Sequence, residues 1–483
     1  MARDLLRSQS LTPRVVIVGG GIAGLAAAHR VVEWSRERGR AVDLTLFEAA
    51  DRLGGTIQTE RCDGFLVECG PDSFLSEKPW ALALCRRLGV EDRLVRTDDR
   101  FRRTFVVFRG RLHPLPDGFQ LLAPTRLGPF LASTLFSWPG KLRMAFDLVL
   151  PRGGDPDESL GAFVRRRLGR EALERVAQPL VAGIYTADPD DLALAATMPR
   201  FLELERRERS VILALWRAAR RAPGDASGSS GARWSLFVTF ADGMEELIRG
   251  LATRLPPGAV RLKERVSGVM RSGAGWQVAT LDGGAIEADA VILAPEAYQV
   301  ARMVRYLDPA LAHLLEAIPY ASSATVTLAY RRADIAHPLD GFGFVVPHVE
   351  RRPIIACTFS SVKYPGRAPE GHVLLRVFLG GALGEGVLEQ SDELLAATAR
   401  GQLAELLGAR GDPLFARVAR YPKAMPQYHV GHLARVEAVE QCVRGHPGLA
   451  LVGGAYRGVG IADCVRSGEE AVERLLESFR TRS

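Results

Sequence analysis

Lysine is nearly missing from this chain, with 5 residues in 483 against 58 arginines, so almost all of its positive charge is guanidinium. The net charge of +7 is therefore largely a habit of composition, and a single arginine says little about function. Aromatic residues make up only 7% and do not interleave with the scattered basic ones into stacking platforms, which argues against a nucleic-acid partner. Cysteine is sparse: Cys62, Cys69, Cys85, Cys357, Cys442 and Cys464 form no CxxC and no metal-ligand spacing, and read as reduced and buried. His429 and His432 stand three apart without an acidic or thiolate neighbour, so no metal site is expected. No uncharged apolar run reaches the ~18 residues of a membrane span. The longest candidates are Val15 to Ala28 and Leu127 to Gly140, and the second contains two prolines. Met1 to Pro13 carries charge without a long apolar region, so it does not read as a signal peptide, and the expected compartment is the cytoplasm.

What is present is a long soluble-type chain, 47% hydrophobic and 25% charged, with length enough for two or three domains. Its organising stretch is Arg14 to Glu48. The apolar run Val15–Val18 leads into Gly19, Gly20, Gly21, Ile22, Ala23 and Gly24, then the Ala-rich Leu25 to Val32, and after a charged turn the run Leu44–Phe47 ends on Glu48. That order predicts strand, tight turn, helix, strand. Gly19 permits the turn, Gly21 lets a pyrophosphate approach bare backbone, and Gly24 lets helix and strand pack closely. The phosphates would lie on free N–H groups at a helix N-terminus. Glu48 is placed to accept from a ribose and would repel a 2′-phosphate, so FAD or NAD is expected and NADP is not.

Further along, Arg52, Leu53, Gly54, Gly55, Thr56 reads as a Gly-Gly turn, and Gly70, Pro71, Asp72, Ser73 as another. Arg102 to Pro116 predicts a hairpin, and Gly118 to Ala219 is mostly helical by periodicity. There Leu160, Phe163, Val164 and Leu168 form an apolar face, and the run Arg165–Arg167 is expected largely on the solvated side. Val260 to Met270 reads as one strand containing Val266, and Val278 to Leu281 with Ile286 as a hairpin about Gly283-Gly284. Asp289 to Pro295 is a buried strand. Near the end, Leu449–Val452 turns through Gly453-Gly454 to Gly458, Val459, Gly460, Ile461 and a final helix. A helix N-terminus reached through glycines can stabilise an anion, or can simply be a cap.

These pieces resemble one family over nearly the whole chain, the FAD-dependent porphyrinogen oxidases. The carriers are GGGIAGLAAA at 19–28, FEAADRLGG at 47–55, GPDSFL at 70–75, LHPLP at 112–116, VAGIYTADPDDL at 181–192, GFGFVVP at 341–347, ACTFSS at 356–361, MPQYHVGH at 425–432 and GGAYRGVGIADC at 453–464. GPDSF, MPQYHVGH and RSVIL at 209–213 are similar to the Gram-positive branch, which oxidises coproporphyrinogen III to coproporphyrin III.

The resemblance implies an α/β (α+β overall) architecture. A discontinuous Rossmann-like FAD-binding domain of the amine oxidase type would span 13–101, 235–301 and 441–479, with a sheet-containing substrate domain at 102–117 and 302–440. A helical, possible membrane-associating domain would span 118–220, followed by a loop at 221–234. It implies non-covalent FAD at Gly19, Gly20, Gly21, Ile22, Ala23, Gly24, Glu48, Ala49, Gly54, Gly55, Thr56, Gly70, Pro71, Asp72, Ser73, Val266, Tyr421, Val459, Gly460 and Ile461. Substrate would meet Ala182, Gly183 and Tyr185, with Phe359 in an aromatic wall faced by Phe344 or Val345. Where many relatives hold a propionate with an arginine, this chain has Thr104 beside Arg103, and Lys78 is the candidate replacement. The implied reaction is a six-electron oxidation in three rounds, each removing a hydride from a meso carbon and a proton from a pyrrole nitrogen, with O2 as acceptor and hydrogen peroxide as product. The porphyrin would pass to a ferrochelatase in haem biosynthesis, contact with the membrane would be peripheral at most, and the oligomeric state stays open. No residue reads as an obligatory general base. The competing readings are a protoporphyrinogen IX oxidase, an amine or carotenoid oxidoreductase, and a non-catalytic flavin-binding protein.

Overall fold

The structure is a computed structural model that describes residues 12–120, 123–153, 155–221 and 237–478. The segment expected as a loop at 221–234 lies, from residue 222 on, outside them.

Val15 to Val18 are all buried, and a strand buried on both faces needs helices on both sides, the signature of a parallel sheet. Arg14–Val18 is indeed the centre of five parallel strands. Asp43–Glu48 and then Val260–Leu262 lie on one side, and Ala290–Leu293 and then Leu449–Leu451 on the other. Three distant stretches of chain therefore complete one sheet. Because the strands are parallel, Val18, Glu48, Leu293 and Leu451 all end at the same edge, where the order of strands reverses and ligands of such sheets bind. Two long helices, Ile22–Arg38 and Ile461–Ser478, begin at that edge. They pack so closely that a Cβ on Gly468 would collide with the Ala23 carbonyl oxygen.

The expected single strand from Val260 to Met270 is two. Lys263 turns with φ +61°, so Val260–Leu262 stays in the parallel sheet and Val266–Ser272 starts an antiparallel one with Gly275–Thr280 and Ala285–Ala288. The hairpin about Gly283-Gly284 forms with Val278 opposite Ile286.

The second large sheet has seven strands, in the order Phe415–Pro426, Tyr320–Arg331, His372–Gly380, Ile354–Phe359, Gly343–Val345, Thr104–Phe108 and Arg111–Pro114. Successive side chains point to opposite faces. On one face Phe344, Phe359, Leu375, Val377 and Leu379 pack under the helix Asp392–Leu407 through Leu395, Ala399 and Leu403. On the other, Val106, Val345 and Ala356 meet the helical layer, which includes Gln178–Tyr185.

The helix Leu160–Arg167 buries Leu160, Phe163 and Val164 as its period demands. Arg167 departs from expectation. It stands four residues after Phe163 and three after Val164, hence on the same face, and is 0% exposed. Its guanidinium donates to Asp147 Oδ1 at 2.6 Å and to the carbonyls of Pro151 and Arg209, both at 2.7 Å, while Asp147 also accepts from Ser210 Oγ at 2.6 Å. Only Arg165 and Arg166 have solvent access.

Candidate active site

At the carboxyl edge of the parallel sheet the chain turns through Gly19, with φ +97°. A Cβ on Gly24 would strike the Gly19 carbonyl oxygen, and one on Gly20 would lie 2.5 Å from Leu53 Cδ2. At Gly21 a Cβ would meet nothing within 4 Å, because that position faces the open groove. The helix beginning at Ile22 has no side-chain cap and no acid in its first turn, so its N-terminal donors and dipole are available to an anion.

Glu48 holds this turn with both oxygens: Oε2 accepts from Gly20 N at 2.7 Å and Oε1 from Ala50 N at 2.8 Å. A carboxylate has about four acceptor sites, so two are left for a ribose beside Ala49. Glu264 N donates to Glu48 O at 3.0 Å and Lys263 N to Ala50 O at 2.9 Å, which brings the buried Val266 alongside. Gly54 N donates to Gly20 O at 2.8 Å, and Arg52 spends its guanidinium on the carbonyls of Leu53 and Ile57, both at 3.1 Å, and of Gly55. The arginine therefore shapes the Gly-Gly turn and lays it on the first one.

A cavity of about 330 Å³ continues from there, bounded by Gly55, Thr56 and Cys69 on one side and by Thr325, Thr327 and Tyr421 of the seven-stranded sheet on the other. The Tyr421 hydroxyl is buried without a hydrogen-bond partner among the described residues. Gly70 packs on Thr56 so tightly that a Cβ would overlap its carbonyl oxygen. Beyond Pro71, Asp72 accepts from Ser73 Oγ at 2.6 Å and from Lys363 Nζ at 2.9 Å. Burial opposes its charge, but Lys363, then Arg376, outweigh that and bring its pKa down to about 2. Burial pushes the Cys69 thiol up to about 12, so no thiolate stands there at neutral pH.

The C-terminal glycine loop closes the groove. Tyr428 stacks on His432, with ring centroids 4.0 Å apart, and its hydroxyl donates to Gly454 O at 2.6 Å and accepts from Gly458 N at 2.8 Å. Val459, Gly460 and Ile461 follow at the start of the last helix. Asp463 in its first turn pairs with Lys78 Nζ at 2.5 Å, which ties the loop back to the segment after Ser73.

An open glycine cradle, an uncapped helix start, an acid at the second strand and an orphaned buried hydroxyl fit a long dinucleotide. Residues 22–476 match the flavin containing amine oxidoreductase family. The chain belongs to that family. A flavin held on a dinucleotide fold is FAD, and this amine oxidoreductase relative is a FAD-dependent oxidoreductase. It is 36% identical to the coproporphyrinogen III oxidase of Bacillus subtilis over 96% of this chain and 97% of that one. With the coproporphyrinogen III oxidase of Propionibacterium freudenreichii it shares 36% over 96% and 91%. Protoporphyrinogen oxidases of plants and mammals match at 29–32%. Among solved structures, one from Exiguobacterium sp. 255-15, provisionally described as a protoporphyrinogen oxidase, superposes with a TM-score of 0.85 at 33% identity, covering 96% of this chain and 99% of that one.

In this FAD oxidoreductase the residues expected around a substrate divide. Gly183 packs beside the buried Val345, with 3.9 Å from an added Cβ to Cγ1. Ala182 and Tyr185 flank it on the same helix, and the Tyr185 carbonyl accepts from Gln427 Nε2 at 3.0 Å. Phe344 and Phe359 stay together, ring centroids 6.2 Å apart, but at 1% and 0% exposure they lie in the core beneath Asp392–Leu407. Strand alternation turns them away from the sheet face that carries Val345; an aromatic residue on that face is Phe378, opposite Ala356. Lys78 is engaged by Asp463, and Arg103 by Asp340 at 2.5 Å beside a buried Thr104. Sequence reasoning passed over Arg376, Phe378, Thr325 and Gln427. A signal was there: Arg376 is the one cation inside the otherwise apolar strand Val373–Leu379.

Proposed function

We propose that this enzyme oxidises coproporphyrinogen III to coproporphyrin III in haem biosynthesis, passing six electrons in three rounds to O2 and releasing hydrogen peroxide. The near full-length likeness to coproporphyrinogen III oxidases carries this reading. FAD supplies the two-electron acceptor when bound. The chain's own part is to orient a large, flexible tetrapyrrole. Gly183 leaves an exposed position of the helix Gln178–Tyr185 without a side chain beside Val345, and the surrounding apolar side chains exclude water. No general base is assigned. A protoporphyrinogen IX oxidase is the second reading, supported by the 29–32% relatives.

In this reading 13–101, 235–301 and 441–479 bind FAD through the residues named above, 102–117 and 302–440 carry the substrate sheet, and 118–220 is the helical layer. Product would pass to a ferrochelatase. Among the described residues no helix is long and apolar enough to cross a membrane. Leu127, Leu131, Trp138, Leu142, Phe146 and Val149 are nevertheless exposed within one short helical stretch, which supports peripheral contact with a lipid surface. Sedimentation with anionic vesicles, with Trp138→Ser and Leu142→Ser as controls, tests that contact.

Anaerobic mixing of the yellow enzyme with each porphyrinogen, followed by air, tests the reaction. Faster appearance of coproporphyrin fluorescence, with peroxide formed, is expected. A strong preference for protoporphyrinogen would overturn the assignment of substrate.

A further inference from the structure

The strand His372–Gly380 alternates. Val373, Leu375, Val377 and Leu379 enter the core, and Leu374, Arg376 and Phe378 take the cleft face. Arg376 is 5% exposed and sits among buried threonines, opposite Thr327 on one neighbouring strand and Thr358 on the other. Its guanidinium carbon is 5.1 Å from the Phe378 ring centroid, and its polar contact is a long one, Nη2 to Thr325 Oγ1 at 3.5 Å. Its buried Nε has no hydrogen-bond partner among the described residues.

A buried guanidinium needs an anion, and the carboxylates nearby are already engaged. Asp72 feels Arg376, but takes its hydrogen bonds from Lys363 and Ser73, so two cations face one carboxylate. Glu68 lies 3.7 Å from Arg367. A positive charge is therefore left over on the cleft face. The threonines beside Arg376, Thr325 and Thr327, line the cavity shared with Gly55, Thr56 and Tyr421. That cavity continues the dinucleotide groove beyond its phosphate-binding helix start, where the ring end of a bound FAD belongs.

We propose that Arg376 is the buried cation facing the flavin ring, where it stabilises the negative charge the ring gains when it takes up electrons. Through desolvated electrostatics it would raise the reduction potential. The inference rests on the FAD site but not on the identity of the substrate, and its test needs no porphyrinogen.

The wild type and the variants Arg376→Gln, Arg376→Lys and Asp72→Asn are purified as FAD holoenzymes. Each is titrated with sulfite, which adds to the oxidised ring, leaves negative charge on it and bleaches its yellow colour. The two-electron reduction potential is measured beside it. We expect Arg376→Gln to weaken sulfite binding about tenfold or more and to lower the potential, a tenfold change in the reduction equilibrium being about 30 mV. Arg376→Lys retains most of the affinity, and Asp72→Asn, which removes the opposing charge, tightens it. Equal sulfite affinity and potential in wild type and Arg376→Gln would overturn the proposal. If Arg376→Gln retains no FAD, the other two decide: unchanged values in Asp72→Asn overturn the proposal. A wild type that refuses FAD overturns the flavin site itself, and the inference with it.

Discussion

Tyr428→Phe removes one oxygen atom and should loosen the flavin. The ring stays, and with it the stack on His432 and the burial of the aromatic face. What goes is the bridge that accepts from Gly458 N at 2.8 Å and donates to Gly454 O at 2.6 Å, the clasp across the loop that ends at Val459–Ile461. Each hydrogen bond is worth roughly 0.5–1.5 kcal/mol net, and each group left dry costs about 1–3 kcal/mol. Both glycines are half-buried, so water recovers part of that, and the loss comes to about 1–2 kcal/mol. If the loop forms one wall of the flavin groove, this loss appears as FAD affinity reduced roughly 5- to 30-fold. The assay is reconstitution of the apoprotein with FAD, followed by flavin fluorescence, with the melting temperature of the apoprotein recorded alongside. A Tyr428→Phe protein that binds FAD within about twofold of wild type and melts at the same temperature would refute the reasoning, because the hydroxyl would then be idle.

Two glycines separate folding from binding. Gly21→Ala points its methyl into the open groove, so the apoprotein should melt as wild type does while FAD affinity falls about tenfold or more, read by the same titration. Gly70→Ala drives its methyl into the Thr56 carbonyl, so its melting temperature should fall as well, for a strain cost of about 1–3 kcal/mol. In the helical layer, Asp147→Ala takes from the buried Arg167 its closest carboxylate and leaves Glu205 at 3.4 Å, so it should cost up to about 3–5 kcal/mol in urea unfolding, most of which Asp147→Leu with Arg167→Met restores. His432 supplies a pH test. It is fully buried, its Nε2 donates to the Tyr456 carbonyl at 2.9 Å, its Nδ1 has no partner among the described residues, and burial lowers its pKa to about 4. The unfolded chain therefore binds a proton that the folded one refuses between about pH 6.5 and 4. Stability falls as pH drops through that window, by on the order of 3 kcal/mol. The difference between wild type and His432→Gln isolates this term, and parallel stability–pH curves for the two would refute it.

The parts of this protein that a sequence announces are those where local chemistry and final position coincide. Val15–Val18, the glycines after it and Glu48 lie within one βαβ unit, so their spacing alone predicts the turn that the structure shows. The helix after Gly460 was legible for the same reason. Where the answer depends on which face of a strand or helix meets which neighbour, neither residue type nor likeness to a family motif decides it. Phe344 and Phe359 look like a cleft wall until the pairing of Phe344 with Cys357 sends both rings into the core. Arg167 looks like one of three solvated arginines until its i−4 and i−3 neighbours prove to be the apolar face and Asp147, 20 residues away, completes the pair. Lys78 looks like a free cation until the last helix delivers Asp463 from 385 residues away. Phe344, Phe359 and Lys78 turn on long-range partners that periodicity cannot see, whereas the face of Arg167 follows from its spacing to Phe163 and Val164 and only its partner was hidden. Arg376 was hidden for the opposite reason. In a chain with 58 arginines one more attracts no notice, yet this one breaks the apolar alternation of Val373–Leu379. A charge can persist inside such a strand only where something else in the folded protein needs it, and on this sheet face that place is the cleft.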